Sequence, residues 1–485
     1  MIRAGPGGII ESDRQYQSRS SPIKTVTLHF VLGCLALGTV FDVPPVVAAQ
    51  TRTLRIVTYN IEDDINGATT PLPGLIAPPT NSTNVLAGGV LEGIGEEILG
   101  SDPAQPLDVL ALQETTGNTI TVAPIVNGLN SFYNTPGMYA MSPYQATESG
   151  GDVADGNGPN ALVYNTATVQ LLASVPVDPP GGISQLGSSS GEYREVMRYE
   201  LAPAGMMPTA TNEFYVYVSH YKASSGSSNE AKRNGEAQII RNDAATNLPA
   251  NARVLYVGDY NISTSSEASY QTILSNTAPN GIHQGQGIDP LNPSGANNVN
   301  WATNTAPPSI LAMETESATD LRYRDDLQVM TTNVYSGAAG GLALVPGTYH
   351  VFGNNGTTPY FGTVNSGTNT ALNNRLVTNG PVFISAAQLY LDLTTASDHL
   401  PVVADYTIPI TVPAPVFQSV TVAGGTVTFT WSAVVGVAYQ PQYSPNLAPG
   451  NWSNLVSAIT ATNAVMSAAD SPGPDPQRFY RLLVP

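Results

Sequence analysis

The sequence predicts an α+β protein: a four-layer α/β/β/α sandwich of two packed mixed sheets with outer helices, followed by a small all-β sandwich. Three observations predict it. Short apolar runs alternate with segments of helical spacing and show no regular strand–helix–strand repeat, which favours packed sheets over a doubly wound parallel one. Only 11% of the 485 residues are charged, 42% are hydrophobic, and 45 Gly and 39 Pro punctuate the chain. That composition suits a β-rich core with long polar loops and excludes a coiled coil, a long helical bundle or a chain disordered by charge repulsion. Beyond Ile408-Pro409, Pro413 and Pro415 the chain turns rich in Val, Thr, Ser and Ala with almost no charge.

The elements follow in order. Residues 26–41, VTLHFVLGCLALGTVF, lie behind Lys24 and ahead of Val47-Ala48-Ala49. A basic flank, a short apolar core and small residues predict a secretory signal peptide over 1–49, cleaved after Ala49, rather than a span of about 20 clean apolar residues. The protein is therefore expected to be secreted, cell-surface or periplasmic. Its one cysteine, Cys34, leaves with the signal, which excludes disulfides and thiolate chemistry. The net charge of −18 disfavours tight non-specific binding to DNA or anionic lipid. Residues 50–410 hold the larger domain. It opens with a strand at 54–59, then Leu86, Val90, Ile94 and Ile98 at four-residue spacing with Glu92, Glu96 and Glu97 between them, which predicts an amphipathic helix. Strands are predicted at 108–112, 161–164, 196–201, 214–219, 254–257, 327–330 and 402–406, with helices near 229–246 and 265–275. Residues 411–416 read as a linker. In 417–485 short alternating strands run between Gly, Pro and Asn turns, with Trp431, Trp452, Phe479 and Tyr480 expected in the core. This tail resembles the fibronectin-type-III-like modules of secreted bacterial proteins.

Several strands end in polar residues that a core strand does not need. The first ends at Asn60, the next at Gln113-Glu114, a later pair at Ser219-His220-Tyr221-Lys222 and Gly258-Asp259-Tyr260-Asn261, and Ser397-Asp398-His399-Leu400-Pro401 precedes the last. Singly, each has an ordinary explanation: Asn and Asp make turns, a lone Glu is solvated, a lone His is structural. Gathered at one sheet edge, they are what a hard cation with oxygen ligands needs beside groups that move protons.

Taken in order, Thr58-Tyr59-Asn60-Ile61, Leu112-Gln113-Glu114, Ser219-His220-Tyr221-Lys222, Gly258-Asp259-Tyr260-Asn261 and Ser397-Asp398-His399-Leu400-Pro401 resemble five motifs of the endonuclease/exonuclease/phosphatase superfamily, the deoxyribonuclease I-like proteins. The resemblance covers residues 52–406 and implies a metal-dependent phosphoric-ester hydrolase. It makes Glu114 the principal carboxylate ligand of Mg²⁺ (or Mn²⁺ or Ca²⁺, one or two ions), with Asn60 and Asp398 completing the shell. Asp259 and Asn261 would hold the attacking water or a second metal and contact the scissile phosphate, and His220 and His399 would form the proton-transfer pair. The family places a carboxylate that orients the last His within Arg324-Asp325-Asp326-Leu327. The alternation Asp325, Leu327, Val329 favours Asp325, and Asp326 is the other candidate. Glu148 and Asp152 are candidate partners of His220, and Arg194 resembles the family's phosphate-contacting Arg.

The stretch from His220 to Gly226 and the helix after it are similar to the His-x-Lys-Ser stretch of secreted bacterial nucleases, so the expected partner is a phosphodiester substrate, nucleic acid foremost. His220 and Lys222 share one face if their strand continues. Basic residues are scarce, yet Lys222, Lys232, Arg233 and Arg241 cluster here, and Lys222, Arg194 and Asn261 are the phosphate-binding candidates. The chain lacks a broad basic stripe and an aromatic ladder interleaved with cations. A sphingomyelinase-like or small-molecule phosphoesterase is therefore the alternative, with the Tyr/Gly/Asn-rich stretch 335–373 as room for a recognition insertion. A non-catalytic secreted binding protein is the third reading. A monomer without stable membrane insertion is expected.

Overall fold

The computed structural model describes residues 48–62, 74–76, 89–99, 104–143, 159–177, 193–194, 196–303, 307–338, 340–377, 384–446, 450–473 and 477–484. The expected signal up to residue 47, Leu86, Glu148 and Asp152 lie outside them. The chain divides into two compact units, Ala49–Thr411 and one that holds Val412–Pro485.

In chain order the strands of the larger unit are β1 (Ala48–Asn60), β2 (Val109–Gln113), β3 (Tyr139–Met141), β4 (Ala161–Asn165), β5 (Val169–Pro176), β6 (Met197–Pro203), β7 (Phe214–His220), β8 (Val254–Asp259), β9 (Gly287–Ile288), β10 (Asp326–Thr331), β11 (Ala343–Leu344), β12 (His350–Val351) and β13 (Val402–Val412). Its helices are α1 (Val90–Gly95), α2 (Ala123–Phe132), α3 (Ser227–Asn247), α4 (Ala268–Leu274), α5 (Pro308–Leu311), α6 (Thr332–Ser336) and α7 (Ala386–Ala396). One sheet runs β11-β13-β1-β2-β4-β3 with β12 beside β13, and the other runs β5-β6-β7-β8-β10-β9. The period of two along β7 builds the layers. Val216 and Val218 join the core between the sheets, while Tyr215 and Tyr217 join a second core with Ala237, Ile240 and Ala244 of α3. On the outer side of the first sheet, α7 is capped by Ser385, whose Oγ accepts from Gln388 N (3.2 Å), and buries Leu389 and Leu393, one turn apart.

The helix expected over 86–98 is only α1, six residues long; Val90 and Ile94 face the core as expected, but the acids do not face solvent. Glu92, Glu96 and Glu97 are buried, whereas Ile98 is exposed. Glu97 pairs with His350 (2.9 Å) and Arg375 (3.0 Å), and Glu96 accepts from Ile384 N (2.9 Å). A carboxylate provided with such partners packs inward where spacing alone places it in solvent.

In the second unit, β14 (Phe417–Ala423), β15 (Thr426–Ser432) and β19 (Val465–Asp470) form one sheet. The other is made by β16 (Ala438–Ser444), β17 (Ser453–Asn454), β18 (Ile459–Thr460) and β20 (Phe479–Leu483). Phe429, Trp431, Tyr439, Phe479 and Leu482 are buried. Trp452 is not in that core: it is half-buried beneath the Arg481 guanidinium, 4.2 Å from its ring centre. Tyr480, also half-buried, ends on Asp470 (2.8 Å). Among the described residues no helix is long and apolar enough to cross a membrane.

Candidate active site

Parallel pairing brings the polar strand ends together. β1 and β2 run parallel with Asn60 opposite Gln113, which places Glu114 one residue beyond the edge. β7 and β8 run parallel with His220 opposite Asp259, and β10 starts antiparallel with Asp326 opposite the same Asp259. The segment before β13 is held by Ser397, whose Oγ donates to Asn60 O (2.7 Å) and accepts from His399 N (3.0 Å). Gly258 belongs to the approach as well. At φ 134° its missing Cβ would lie 1.9 Å from Ser219 O, so only glycine allows β8 to close on β7 there.

Asn60 Nδ2 donates to both Glu114 Oε1 (2.9 Å) and Asp259 Oδ2 (3.0 Å). His220 Nε2 lies 3.3 Å and 3.5 Å from the same two oxygens. One ligand atom each from Glu114, His220 and Asp259 falls within 4.8 Å of the others, all three side chains being buried. His399 Nδ1 meets Asp326 Oδ2 at 2.7 Å. Its Nε2 stands 3.9 Å from Asp259 Oδ2 and 3.7 Å from Asp398 Oδ1. Glu114 (φ 56°) and Asn261 (φ 51°) both adopt the left-handed backbone region, a strain of about 1 kcal/mol or more each that concentrates at working sites.

The electrostatics follow from burial and crowding. Burial pushes the Asp259 carboxyl up to about 7, against the pull of His399 and the Asn60 hydrogen bond. Burial alone would lower His399, but Asp326, Asp398 and Asp259 outweigh it and hold the imidazole well above its ordinary value. Two carboxylates and an imidazole with converging lone pairs form a donor set that fits Mg²⁺ or Mn²⁺, the imidazole suiting the latter better.

Several expected residues take other roles. The carboxylate on His399 is Asp326, not Asp325. Leu327 and Val329, the alternation that favoured Asp325, face the α3 core, while Asp326 lies on the opposite face with Gln328, whose Nε2 reaches Ile56 O and Val402 O across the sandwich. Asp325 instead hydrogen-bonds Glu316, and burial together with that partner raises its carboxyl well above the usual range. Asn60 turns its amide nitrogen, not its oxygen, to the carboxylates, and its Oδ1 accepts from Glu62 N (3.1 Å). In this arrangement it bridges the two acids. Asp398 stands outside the three-residue donor set, beside His399 and 39% exposed.

Of the expected cations, Arg233 forks onto Glu267 (2.5 and 3.0 Å) and holds Lys222 O and Ser224 O (2.8 and 2.9 Å). Arg241 is consumed by the carbonyls of Ser275, Gln284 and Gly285. Neither is left for a substrate. Arg194 Nη1 and Asn261 Nδ2 converge on Tyr221 O (2.6 and 3.1 Å), beside the half-buried Lys222, whose pKa is lowered by burial and by the neighbouring Arg194 and Lys232. Sequence reasoning passed over Glu236. This buried residue accepts from both Arg194 N (2.8 Å) and Lys222 N (3.0 Å), and the signal for it was an acid among Arg233, Ala237 and Ile240 on the apolar face of a helix.

No family model and no curated protein matches the chain. Among solved structures it is similar to the human nocturnin catalytic domain with a bound sulfate anion, at 15% identity over 75% of this chain and 97% of that one, with TM-score 0.39. It is also similar to an endonuclease/exonuclease/phosphatase from Beutenbergia cavernae (14%, 89% and 95%, TM-score 0.36) and a protein of the same description from Bacteroides thetaiotaomicron (13%, 74% and 97%, TM-score 0.38). Likeness of this degree assigns no family, and the chemistry rests on the residues themselves.

Proposed function

We propose that this chain is an exported, divalent-metal-dependent phosphodiesterase of the endonuclease/exonuclease/phosphatase type, acting on nucleic acid. The observation that carries the reading is the convergence of Glu114, His220 and Asp259 within 4.8 Å beside a His399–Asp326 pair at 2.7 Å. A phosphodiester needs its charge offset, a water made nucleophilic and a leaving alkoxide stabilised. A divalent ion held by Glu114, Asp259 and His220 supplies charge neutralisation and a more acidic water. Asn60 keeps the two carboxylates together. Asp326 accepts from His399 Nδ1, which fixes the ring, and Nε2 faces carboxylate oxygens as a second donor. From there it delivers a proton to an oxygen of the substrate. Lys222 and Arg194 draw the phosphate to that edge. Export is read from residues 24–49 alone, and the β-rich second unit is read as an accessory fibronectin-type-III-like module.

The test assays the chain with Mg²⁺ or Mn²⁺, with and without EDTA, on plasmid DNA, single-stranded DNA, RNA, sphingomyelin and a chromogenic phosphodiester. Metal-dependent degradation of nucleic acid, lost in Glu114→Ala and His399→Ala, is expected. Hydrolysis of only the lipid or the small ester would move the substrate class, and activity surviving both substitutions would remove the site assignment.

A further inference from the structure

One exposed aromatic ring is held on a backbone its side chain disfavours. Phe361 has φ 61°, where a bulky residue is strained, and it is 57% exposed. The loop around it is pinned: Phe361 N donates to Leu321 O (2.9 Å), Leu321 N to Gly362 O (2.8 Å) and Gly362 N to Pro359 O (2.7 Å). The fold therefore maintains a strained residue whose ring gains little from burial. Its neighbours are aromatic and cationic. Tyr360 meets it edge-on with ring centres 4.4 Å apart, and the Arg322 guanidinium lies 5.2 Å from the Tyr323 ring centre and 6.0 Å from that of Phe361. This patch is tied to the catalytic loop. Ala318 N donates to Asp398 O (2.7 Å), Thr315 N donates to Tyr323 O (2.6 Å), and Tyr323 shares a short segment with Asp326, the partner of His399.

We infer that Tyr323, Tyr360 and Phe361, with Arg322 against two of the rings, form a stacking platform for an unpaired nucleobase beside the scissile phosphate. The substrate is then single-stranded or frayed nucleic acid. The inference rests on the phosphodiesterase reading for what happens next to the platform, but its binding does not. A ring face takes any base, and stacking can supply the grip that a chain poor in cations cannot draw from phosphates. Bases inside a duplex have no free face to offer. A lipid surface fits less well, because of the three rings only Phe361 is mostly exposed and one exposed ring gives little apolar area to bury in a membrane interface.

The test uses the full chain in EDTA and a short fluorescein-labelled oligothymidylate read by anisotropy. Phe361→Ala is expected to weaken binding about tenfold and Phe361→Trp to retain it. Phe361→Gly should weaken binding equally while raising the Tm, because the left-handed backbone suits glycine. Wild-type protein without affinity for the oligonucleotide, or variants that all bind as wild type does, would overturn the platform. So would Phe361-dependent partition onto phosphatidylcholine vesicles in place of oligonucleotide binding. With Mn²⁺, Phe361→Ala should raise KM for thymidine 5′-(p-nitrophenyl phosphate) and not for methyl p-nitrophenyl phosphate, whereas equal losses on both would make the residue merely structural. Binding that depends on Phe361 without hydrolysis of either ester would retire the phosphodiesterase reading and keep the platform.

Discussion

Arg55 and Arg324 each end in a carboxylate fork, whereas Glu114 and Asp259 end beside one another. Arg55 meets Asp405 through two bonds (2.9 and 3.0 Å) and gives its remaining donors to Ile94 O and Glu97 O (2.6 and 2.9 Å). Arg324 does the same with Asp289 (2.6 and 2.9 Å), which also accepts from Tyr270 (2.6 Å). The contrast appears in the acids' own titration. Arg324 and Tyr270 overcome burial and hold Asp289 below its ordinary range, while burial leaves Asp259 raised. A buried charge that serves the fold is matched by a guanidinium with its geometry satisfied. At the site, negative charge is gathered in excess of that, and the excess is what a cation or a phosphate-bound metal would use.

The sharpest way to break this contrast is to cut one member of each set. Arg55→Met should destabilise the larger unit by about 3–5 kcal/mol, because Asp405 is left buried and uncompensated. Glu114→Gln should cost activity about a thousandfold while leaving the urea midpoint in EDTA unchanged or higher, since it relieves crowding between carboxylates. Equal loss of stability in both variants would mean that the site is only another structural cluster. A second measurement adds the metal. Mg²⁺ or Mn²⁺ at about a hundred times its Kd should stabilise the wild-type chain by about 2.7 kcal/mol. Glu114→Ala should abolish that gain, and a gain that persists in the variant would place the ion elsewhere.

The two aspartates before and at the start of β10 sharpen the contrast further. Asp326→Asn should lower kcat about a hundredfold, because it removes the acceptor that fixes the His399 ring. Asp325→Asn, whose side chain turns to Glu316, should change kcat by no more than a few-fold. The reverse order in a steady-state assay would restore Asp325 as the orienting residue.

These same residues show what was legible in the sequence. Polar residues at the ends of Val- and Leu-rich runs were readable, because a strand end at a parallel-sheet edge is where side chains from distant segments meet. Which face a residue takes was not readable at β10: Leu327 and Val329 look like core and are core, but of the outer layer. The inner face carries Asp326 and Gln328, polar residues whose partners come from β1 and the segment leading into β13. Glu97 was misplaced for the same reason, since His350 and Arg375, which hold it, lie far along the chain. Local spacing records burial of apolar groups well, and it carries no trace of a polar group buried by a distant partner.

The last comparison is a pair of opposite pH slopes. Asp289 has a depressed folded-state value, so its contribution is complete above the unfolded carboxylate range and is lost as pH falls through the folded value, below about 3.8. Burial raises Glu236 to about 7, against the Arg194 and Lys222 amide hydrogen bonds. The folded state then holds a proton that the unfolded chain releases, and stability falls as pH rises from about 4.5 to about 7, by at most about 1.4 kcal/mol per pH unit. Urea midpoints from about pH 2 to neutrality, compared between each variant and wild type, separate the two. Asp289→Asn should lose stability at neutral pH and approach wild type in acid, whereas Glu236→Gln should gain on wild type as pH rises toward 7. Parallel curves for both variants would show that the guanidinium fork and the acid behind Lys222 are not the two kinds of buried charge described here.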